Sequence, residues 1–420
     1  MTVGLMDTVM VSSVGEAAVS GVSLVDMINQ LMINIFAALA TGGAVVASQY
    51  IGHKEQDRAC ESANQLMVSA GVLSLTVAAF CLAANGGLLR LFFGSIEREV
   101  MENAMIYFGL SVLSYPFLAV YNGGAALFRA MGNSQISLKI SFFMNVLNIS
   151  GNALFIFVLH LGAAGAALGS LIARAAAAAV ICLMLRDHKL PVHFIAFRKK
   201  IIDMDMTKRI LRIGIPNGLE NGMFQLGRIL VVSIISGFGT TQIAANAVAN
   251  NLDGMSVIPG QALGLAMLTV IGQCVGAGDY GQAEKYAKKL MKISYLAFLA
   301  VDGLILLTLP AVLKIYRLPE DTLHLAWLLV TIHCGCAIFF WTPSFVLPNA
   351  LRAAGDVKYT MYLSVLSMWL FRILFSLILG KWLGLGAIGV WIAMVMDWLF
   401  RDGAFLLRFY HRKWQQKRVI

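Results

Sequence analysis

Charged residues are scarce in this chain: they make up 13% of its 420 residues, whereas a typical soluble domain carries about a quarter. Apolar residues account for 59%, and the mean hydropathy is +0.77. A soluble globular fold is therefore excluded as the main class. The composition predicts a protein that lies in lipid.

The motifs of soluble enzymes are also missing. There is no Walker A sequence, so ATP does not drive this chain directly, and there is no HExxH or GxSxG. GLGAIG at 384–389 fits GxGxxG, but it lies between two predicted membrane crossings and lacks a βαβ unit, so we interpret it as a tight turn. We expect no enzyme activity and no cofactor.

Cysteine is sparse as well. The six cysteines form no CxxC pair and show no metal-ligand spacing. Most of them fall within apolar runs, where cysteine behaves as a small core residue. We therefore predict neither a disulfide nor a metal centre.

Long apolar runs are present along the whole chain. Because a bilayer core needs about 20 apolar helical residues per crossing, the runs predict an all-α membrane protein with twelve transmembrane helices. We place them near 1–12 (incomplete), 17–50, 59–83, 103–127, 138–160, 163–185, 210–235, 242–275, 283–310, 322–350, 359–380 and 386–408.

The positive charges are distributed unevenly around these helices. With the carboxyl terminus inside, the inner loops and tail hold 23 Lys and Arg and the outer loops hold five. This is the positive-inside bias of membrane proteins. The net charge of +10 therefore reports orientation rather than a nucleic-acid partner, and we expect a multi-pass protein of the plasma membrane with a cytoplasmic carboxyl terminus.

The two halves of the chain resemble each other at an offset of 224 residues. The offset aligns the loop QYIGHKEQDRA with QCVGAGDYGQA, and LFRAMGN (127–133) similarly matches ALRAAGD (350–356). We predict an amino-terminal six-helix lobe over 1–186, a cytoplasmic linker over 187–209 and a carboxyl-terminal six-helix lobe with a basic tail over 210–420. Parallel repeats of this kind are typical of alternating-access transporters.

Three asparagines mark the fifth predicted helix. Asn145, Asn148 and Asn152 are three and four residues apart, so their amides share one face. Amide oxygens beside a carboxylate suit an alkali cation or a proton relay. Hydrogen bonds between helices explain the pattern equally well. The spacing alone leaves both interpretations open.

Other polar residues at membrane depth are harder to interpret. Asp397 and Arg401 are four residues apart, so we expect them to pair. Glu220 and Asp253 are candidates for a transport cavity, and His324 and His333 are expected to be satisfied core residues. The buried arginines Arg174, Arg228 and Arg372 and the acid Asp302 are left without a specific role.

Six segments together resemble the multidrug and toxic compound extrusion (MATE) transporters over essentially the whole chain. They are DTVMVSSVGEAAVSGVSLVD, ASQYIGHKEQDRA, LFRAMGN, GAALGSLIAR, GQCVGAGDYGQA and ALRAAGD. The resemblance implies twelve helices in two pseudo-symmetric six-helix bundles. It also implies export of cationic or amphipathic compounds, coupled to inward sodium ions or protons.

The resemblance also selects site residues. The family's aspartate of helix 1 falls on Asp7, its helix 5 pair on Asn148 and Asn152, and its helix 6 threonine on Ser170, which keeps the hydroxyl. These four residues are the expected cation site, with Asn145, Glu220 and Asp253 as further cavity candidates.

Two features depart from the family pattern. Only six residues precede Asp7, where members usually have about 15 to 20, so we expect an incomplete first helix from an internal start or a truncation. The helix 10 acid of some sodium-coupled members has no counterpart before Asp356. We therefore expect no ion site in the carboxyl-terminal lobe.

The sequence thus predicts a monomeric secondary antiporter for drugs. A lipid-linked oligosaccharide flippase of the same superfamily is the alternative, with a larger and more basic cavity. A membrane-embedded enzyme would need a reactive cluster at membrane depth, and the sequence shows none.

Overall fold

The computed structural model describes residues 7, 10–94, 97–195, 202–417 and 419–420, and no strand occurs among them. Helix α1 is described only at Asp7, Met10 and Val11, so most of the predicted helix 1–12 lies outside the described residues. The other helices are α2 (Glu16–Gly52), α3 (Gln56–Ala83), α4 (Asn85–Phe93), α5 (Arg98–Leu113), α6 (Tyr115–Ala130), α7 (Ser134–Asn152), α8 (Gly162–Met184), α9 (Met204–Ser236), α10 (Thr240–Ser256), α11 (Ile258–Gly276), α12 (Tyr280–Ile315), α13 (Glu320–Trp341), α14 (Leu347–Ala353), α15 (Val357–Ser367) and α16 (Gly386–Tyr410).

Several of these helices are pieces of one crossing. α5 and α6 meet at a bend of 46°, and π-helical turns follow α7, α13 and α15. In the described part of the chain, eight helices are long and apolar enough to span a membrane, or nine if the bent α5–α6 pair is one span. Grouping helices across all their breaks gives eleven of the twelve predicted crossings within the described residues, and the first predicted crossing is described only at the three residues of α1.

Proline explains two of the breaks. Pro116 begins α6 and Pro259 begins α11, each within the first two helical residues. Proline lacks the N–H that a helix interior needs but fits this first turn. Pro216 by contrast lies inside α9 without ending it, and such prolines are tolerated in membrane helices.

The short helix α4 was not predicted, because we placed its residues in an outer loop. Its sequence NGGLLRLFF has two glycines directly after the first residue, and glycine disfavours a helix. Leu91 and Phe92 are exposed in the structure.

The internal duplication is visible in the helix boundaries. Helix α2 and the α10–α11 pair begin and end at equivalent residues when shifted by 224, since Glu16 corresponds to Thr240 and Gly52 to Gly276. Helices α3 and α12 also begin at equivalent positions. The same scaffold is therefore built twice, although α2 is continuous where its counterpart is broken at Val257.

The loop after each of these helices has the same backbone form. Lys54 and Gly278 are equivalent residues, and both have a positive φ, of 63° and 74°. The next amide reaches back five residues in each loop: Glu55 N–H donates to Tyr50 O, and Asp279 N–H donates to Cys274 O. This arrangement is a helix C-terminal cap that favours glycine. The second copy has the favoured residue and the first copy has lysine.

The chain divides into two compact units. One comprises Met1–Ile51 and Glu55–Gly218, and the other comprises Gly52–Lys54 and Leu219–Ile420. The boundary between Gly218 and Leu219 falls inside α9. Each unit is described below by itself.

We predict that Gly278→Ala destabilises the protein by about 1 kcal/mol, because a side chain at this φ is strained. The measurement is the melting temperature of the purified protein in detergent. Gly281→Ala is the control, since Gly281 lies in the first turn of α12 without a positive φ. Equal melting temperatures for the two variants would contradict the assignment.

Candidate functional site in the amino-terminal unit

Asp7 lies at the centre of a hydrogen-bonded cluster. Its side chain is buried, with 1% of the residue exposed. Its Oδ1 accepts hydrogen bonds from Asn148 Nδ2 at 3.2 Å and from Asn152 Nδ2 at 2.5 Å. Its Oδ2 accepts from Ser170 Oγ at 2.8 Å. The structure thus brings together all four residues that were predicted to form the site.

The tyrosine Tyr107 completes the shell around the carboxylate. Its hydroxyl donates to Asp7 Oδ2 at 3.2 Å, so four side chains donate to one carboxyl group. A charged carboxylate without such partners is very costly at membrane depth. Hydrogen bonds to a charged group contribute roughly 1.5–3 kcal/mol each, so this shell offsets a large part of the cost of burial.

Two hydrogen-bond acceptors in the cluster are unsatisfied. The amide oxygens Asn148 Oδ1 and Asn152 Oδ1 are buried and have no hydrogen-bond partner among the described residues. A buried, unpaired acceptor is unfavourable unless something else satisfies it. Rotating either amide would present its oxygen where its NH₂ now faces Asp7. Carboxylate, amide and hydroxyl oxygens are the ligands of hard cations, so the donor set fits a sodium ion.

Helix α7 positions the two asparagines. Asn148 and Asn152 are one turn apart and both are fully buried. The helix changes to a π-helical turn directly after Asn152, over Ala153–Val158. Such turns occur often at functional sites, because they re-aim side chains within a continuous helix.

Helix α8 brings Ser170 to the cluster through close backbone packing. A Cβ on Gly169 would lie 2.9 Å from the backbone nitrogen of Asn152, and a Cβ on Gly151 would lie 3.2 Å from the Cα of Gly169. Small residues let membrane helices approach at this distance. The glycines of GAAGAALGS therefore determine how near the Ser170 hydroxyl lies to the carboxylate.

A second carboxylate, Asp26, was missed by the sequence analysis. The Tyr107 hydroxyl lies 3.3 Å from Asp26 Oδ1, in addition to its contact with Asp7. Asn29 also donates to Asp26, at 3.2 Å, and Tyr115 donates to Asn29 at 3.0 Å. One tyrosine hydroxyl thus bridges two acids.

A sequence signal for this part of the cluster does exist. Tyr107, Ser111 and Ser114 are buried and recur four and three residues apart, which is the same one-face spacing as in the asparagines. It would have predicted a polar face on α5.

The previously unassigned Arg174 belongs to the same region. It follows Ser170 by one turn of α8, and its Nη1 donates to Ser114 Oγ at 2.6 Å. Its charge acts favourably on ionised Asp7 and on Asp26. Arg174 therefore compensates part of the negative charge of the two acids.

The three further cavity candidates lie elsewhere. Asn145 donates to the carbonyl of Ser141, one turn back on its own helix. Glu220 accepts a 2.6 Å hydrogen bond from Arg352 Nη2 in the carboxyl-terminal unit. Asp253 lies 3.0 Å from His333 Nε2 in that same unit. None of these contacts joins the Asp7 cluster.

The expected Asp397–Arg401 pair does not form a direct contact within 4 Å, because each residue has a nearer partner on another helix, although Asp397 still acts favourably on the charge of Arg401. Asp397 Oδ2 lies 3.9 Å from Arg372, and Arg401 Nη2 lies 3.7 Å from Glu220. Ser367 also donates to Asp397. Arg228, expected to be buried, is exposed in the structure. The spacing of residues along one helix gives no information about these partners on neighbouring helices.

Comparison with known proteins identifies the class of protein and then the family. The described fold resembles that of a solved MATE structure in the bent conformation, with a TM-score of 0.90 at 21% identity, covering 98% of this chain and 90% of the other. It also resembles an outward-facing multidrug resistance MATE transporter with a TM-score of 0.90 at 20% identity, over 98% of this chain and 93% of the other. The MatE family model matches residues 1–154 and 216–378, and the chain belongs to that family.

Curated relatives agree with this membership. The chain is 27% identical to the uncharacterized transporter YisQ of Bacillus subtilis, over 99% of this chain and 92% of YisQ. It is 23% identical to the probable multidrug resistance protein NorM of Thermotoga maritima, over 100% and 90% of the two chains. The predicted class is confirmed: an all-α transporter, not an enzyme, with twelve crossings in two bundles.

We predict that Gly169→Ala disrupts the cluster, because the added methyl group would collide with Asn152. Overpacking of this kind costs about 1–3 kcal/mol, so both the melting temperature and gradient-driven transport should fall. Gly71→Ala is the matched control, since nothing lies within 4 Å of a Cβ there. A Gly169→Ala protein with unchanged stability and transport would refute the close-packing argument.

We predict that Glu220 has a structural role through its ion pair with Arg352. Arg352→Met should destabilise the protein by about 3–5 kcal/mol, because it leaves a buried carboxylate with less compensation. Adding Glu220→Gln should recover part of the loss. Melting temperatures of the two single variants and the double variant test this coupling, and strictly additive losses would contradict it.

Proposed function

We propose that this protein is a secondary antiporter that exports cationic or amphipathic compounds in exchange for sodium ions or protons. In this proposal Asp7, Asn148, Asn152 and Ser170 bind the coupling ion. The observation that supports it most is the buried Asp7 carboxylate, held by four donors beside two amide oxygens without a partner.

The chemistry of the cluster suits either ion. A sodium ion would be held by the carboxylate, by rotated amide oxygens and by the Ser170 hydroxyl. A proton would instead bind Asp7 itself, and the four donors would then lose their charged acceptor. Either event removes the charge that now organises the cluster, so α1, α5, α7 and α8 would favour a different arrangement.

Export follows if the two arrangements differ in their affinity for ion and drug. An ion shifts a conformational equilibrium only by its difference in affinity for the two states. If ion and drug favour opposite arrangements, each weakens binding of the other by the same factor. Inward movement of the ion would then drive outward movement of the drug.

The proposal includes an orientation and an assembly state. The excess of Lys and Arg in the loops on one side supports a plasma-membrane protein whose carboxyl terminus is cytoplasmic. We propose that it works as a monomer, with small organic cations or amphipathic drugs as substrates.

We predict that Asp7→Asn abolishes coupling. In proteoliposomes that export a fluorescent cationic dye, efflux driven by a sodium or a proton gradient should fall at least about tenfold. The amide keeps the shape of the side chain but loses the charge that binds a cation. Asp57→Asn is the control, since Asp57 is an exposed acid at the start of α3.

Imposing each gradient separately on the unmodified protein distinguishes sodium from proton coupling. Efflux that survives Asp7→Asn undiminished would remove Asp7 from the mechanism. Lipid flipping without dye export would instead favour the flippase alternative.

A further inference from the structure

Asp302 is an acid of the carboxyl-terminal unit that has no ion-pair partner within 4 Å among the described residues. It lies on α12 and is fully buried. Neither of its carboxyl oxygens has a hydrogen-bond partner within 3.5 Å among the described residues, and only the Ser256 hydroxyl and the Cys334 thiol act on it as weak donors. An ionised carboxylate with so little compensation is unfavourable at membrane depth.

The neighbouring residues include a carboxylate–histidine pair. His333 on α13 lies with its Nε2 3.0 Å from Asp253 Oδ1 on α10 and 3.3 Å from Ser256 Oγ. Its second nitrogen, Nδ1, is buried and has no hydrogen-bond partner among the described residues. The expectation that His333 is a satisfied core residue is therefore wrong for one of its two nitrogens.

The other titratable and charged groups around the pair come from three elements. Cys334 lies beside His333 on α13 and acts on Asp302. Arg228 on α9 and Arg372 in the π-helical segment after α15 both act on Asp253. The positive charges thus favour Asp253, and Asp302 has no ion-pair partner within 4 Å in the described part of the chain.

The imidazole of His333 is buried among aromatic rings, while the Asp253 side chain beside it is a quarter exposed. The rings of Trp391 and Trp398 pack edge-on against its imidazole, with centroids 5.7 and 5.2 Å away, and both tryptophans are nearly fully buried. A proton is the smallest ligand that would neutralise the Asp302 carboxylate without further space.

We propose that Asp302, Asp253 and His333 form a second site in the carboxyl-terminal unit, at which Asp302 holds a proton in this conformation. The Asp253–His333 pair sets how tightly the proton is held. This site would release its proton when the helices around it rearrange, which rests on the proposed antiport function. Proton occupancy in the resting state does not depend on that function.

The amino-terminal unit has a contact between the equivalent helices. There, Asp26 on α2 lies 3.3 Å from the hydroxyl of Tyr107 on α5. The duplication maps α2 onto α10–α11 and α5 onto α13, so both units place an acid of one helix against a titratable side chain of the other. The residue types differ, which indicates that the two copies have diverged in chemistry at a shared location.

Infrared spectroscopy of the purified full chain in lipid nanodiscs tests the proposal. Subtracting the spectrum of Asp302→Asn from that of the unmodified protein at neutral pH should reveal one protonated-carboxyl band, which shifts in D₂O. Asp302→Glu should restore a band at a shifted frequency. Asp321→Asn is the control, because Asp321 is an exposed acid in the first turn of α13.

A pH titration of that band tests whether the three residues act as one site. His333→Gln removes the partner that compensates Asp253, so the nearby negative charge should hold the proton on Asp302 to higher pH. A midpoint that does not move would refute the coupled site. Absence of any protonated-carboxyl difference in a well-folded Asp302→Asn protein would overturn the proposal.

The result of the infrared test on Asp302 does not depend on the role of Asp7. If Asp7→Asn leaves efflux intact but the Asp302 band is present, Asp7 is removed from the antiport mechanism and the second site remains. If the band is absent and Asp7→Asn abolishes efflux, the second site fails and the proposed function remains.

Discussion

The burial of one negative charge constrains the whole amino-terminal unit. Asp7 cannot be tolerated in a dry helical interior unless several donors reach it at once. The asparagines of α7, the hydroxyl of Ser170 and the tyrosine of α5 meet this requirement from three different helices. The glycine contacts between α7 and α8 then follow, because the donors reach the carboxylate only if these helices approach closely. The close packing of α7 against α8 and the hydrogen bonding of Asp7 therefore depend on each other in this unit.

The carboxyl-terminal unit also buries acids, but it compensates their charges with other residue types. Its buried acids are distributed among arginines and a histidine, so that Glu220, Asp397 and Asp253 each lie near a potential cation. Asp302 and Asp402 are buried acids without an ion-pair partner within 4 Å in the described residues, and Asp402 accepts a hydrogen bond from Ser344 instead. The arginines and the histidine thus compensate several, but not all, of the buried acids of this unit.

Much of the fold could be predicted from the sequence, because apolar runs and the internal repeat carry the information directly. The site was predicted differently: spacing put the asparagines on one face, but only the family resemblance selected Asp7 and Ser170 as their partners. Tyr107 and Asp26 were missed because their contact depends on which helices pack together. The direct contact expected between Asp397 and Arg401 is absent for the same reason, since arginine side chains reach across to neighbouring helices. Local spacing is weak evidence where long side chains have several possible partners.

The break at Val257 changes how this crossing can move. Duplication begins with two identical halves, yet α2 runs unbroken for 37 residues while its counterpart is jointed by Pro259. A continuous helix moves as one rigid unit over its full length, whereas a broken helix allows its two segments to move separately. The two equivalent segments have thus kept the same length, but only the segment in the second half has a break at which its two parts can bend relative to each other.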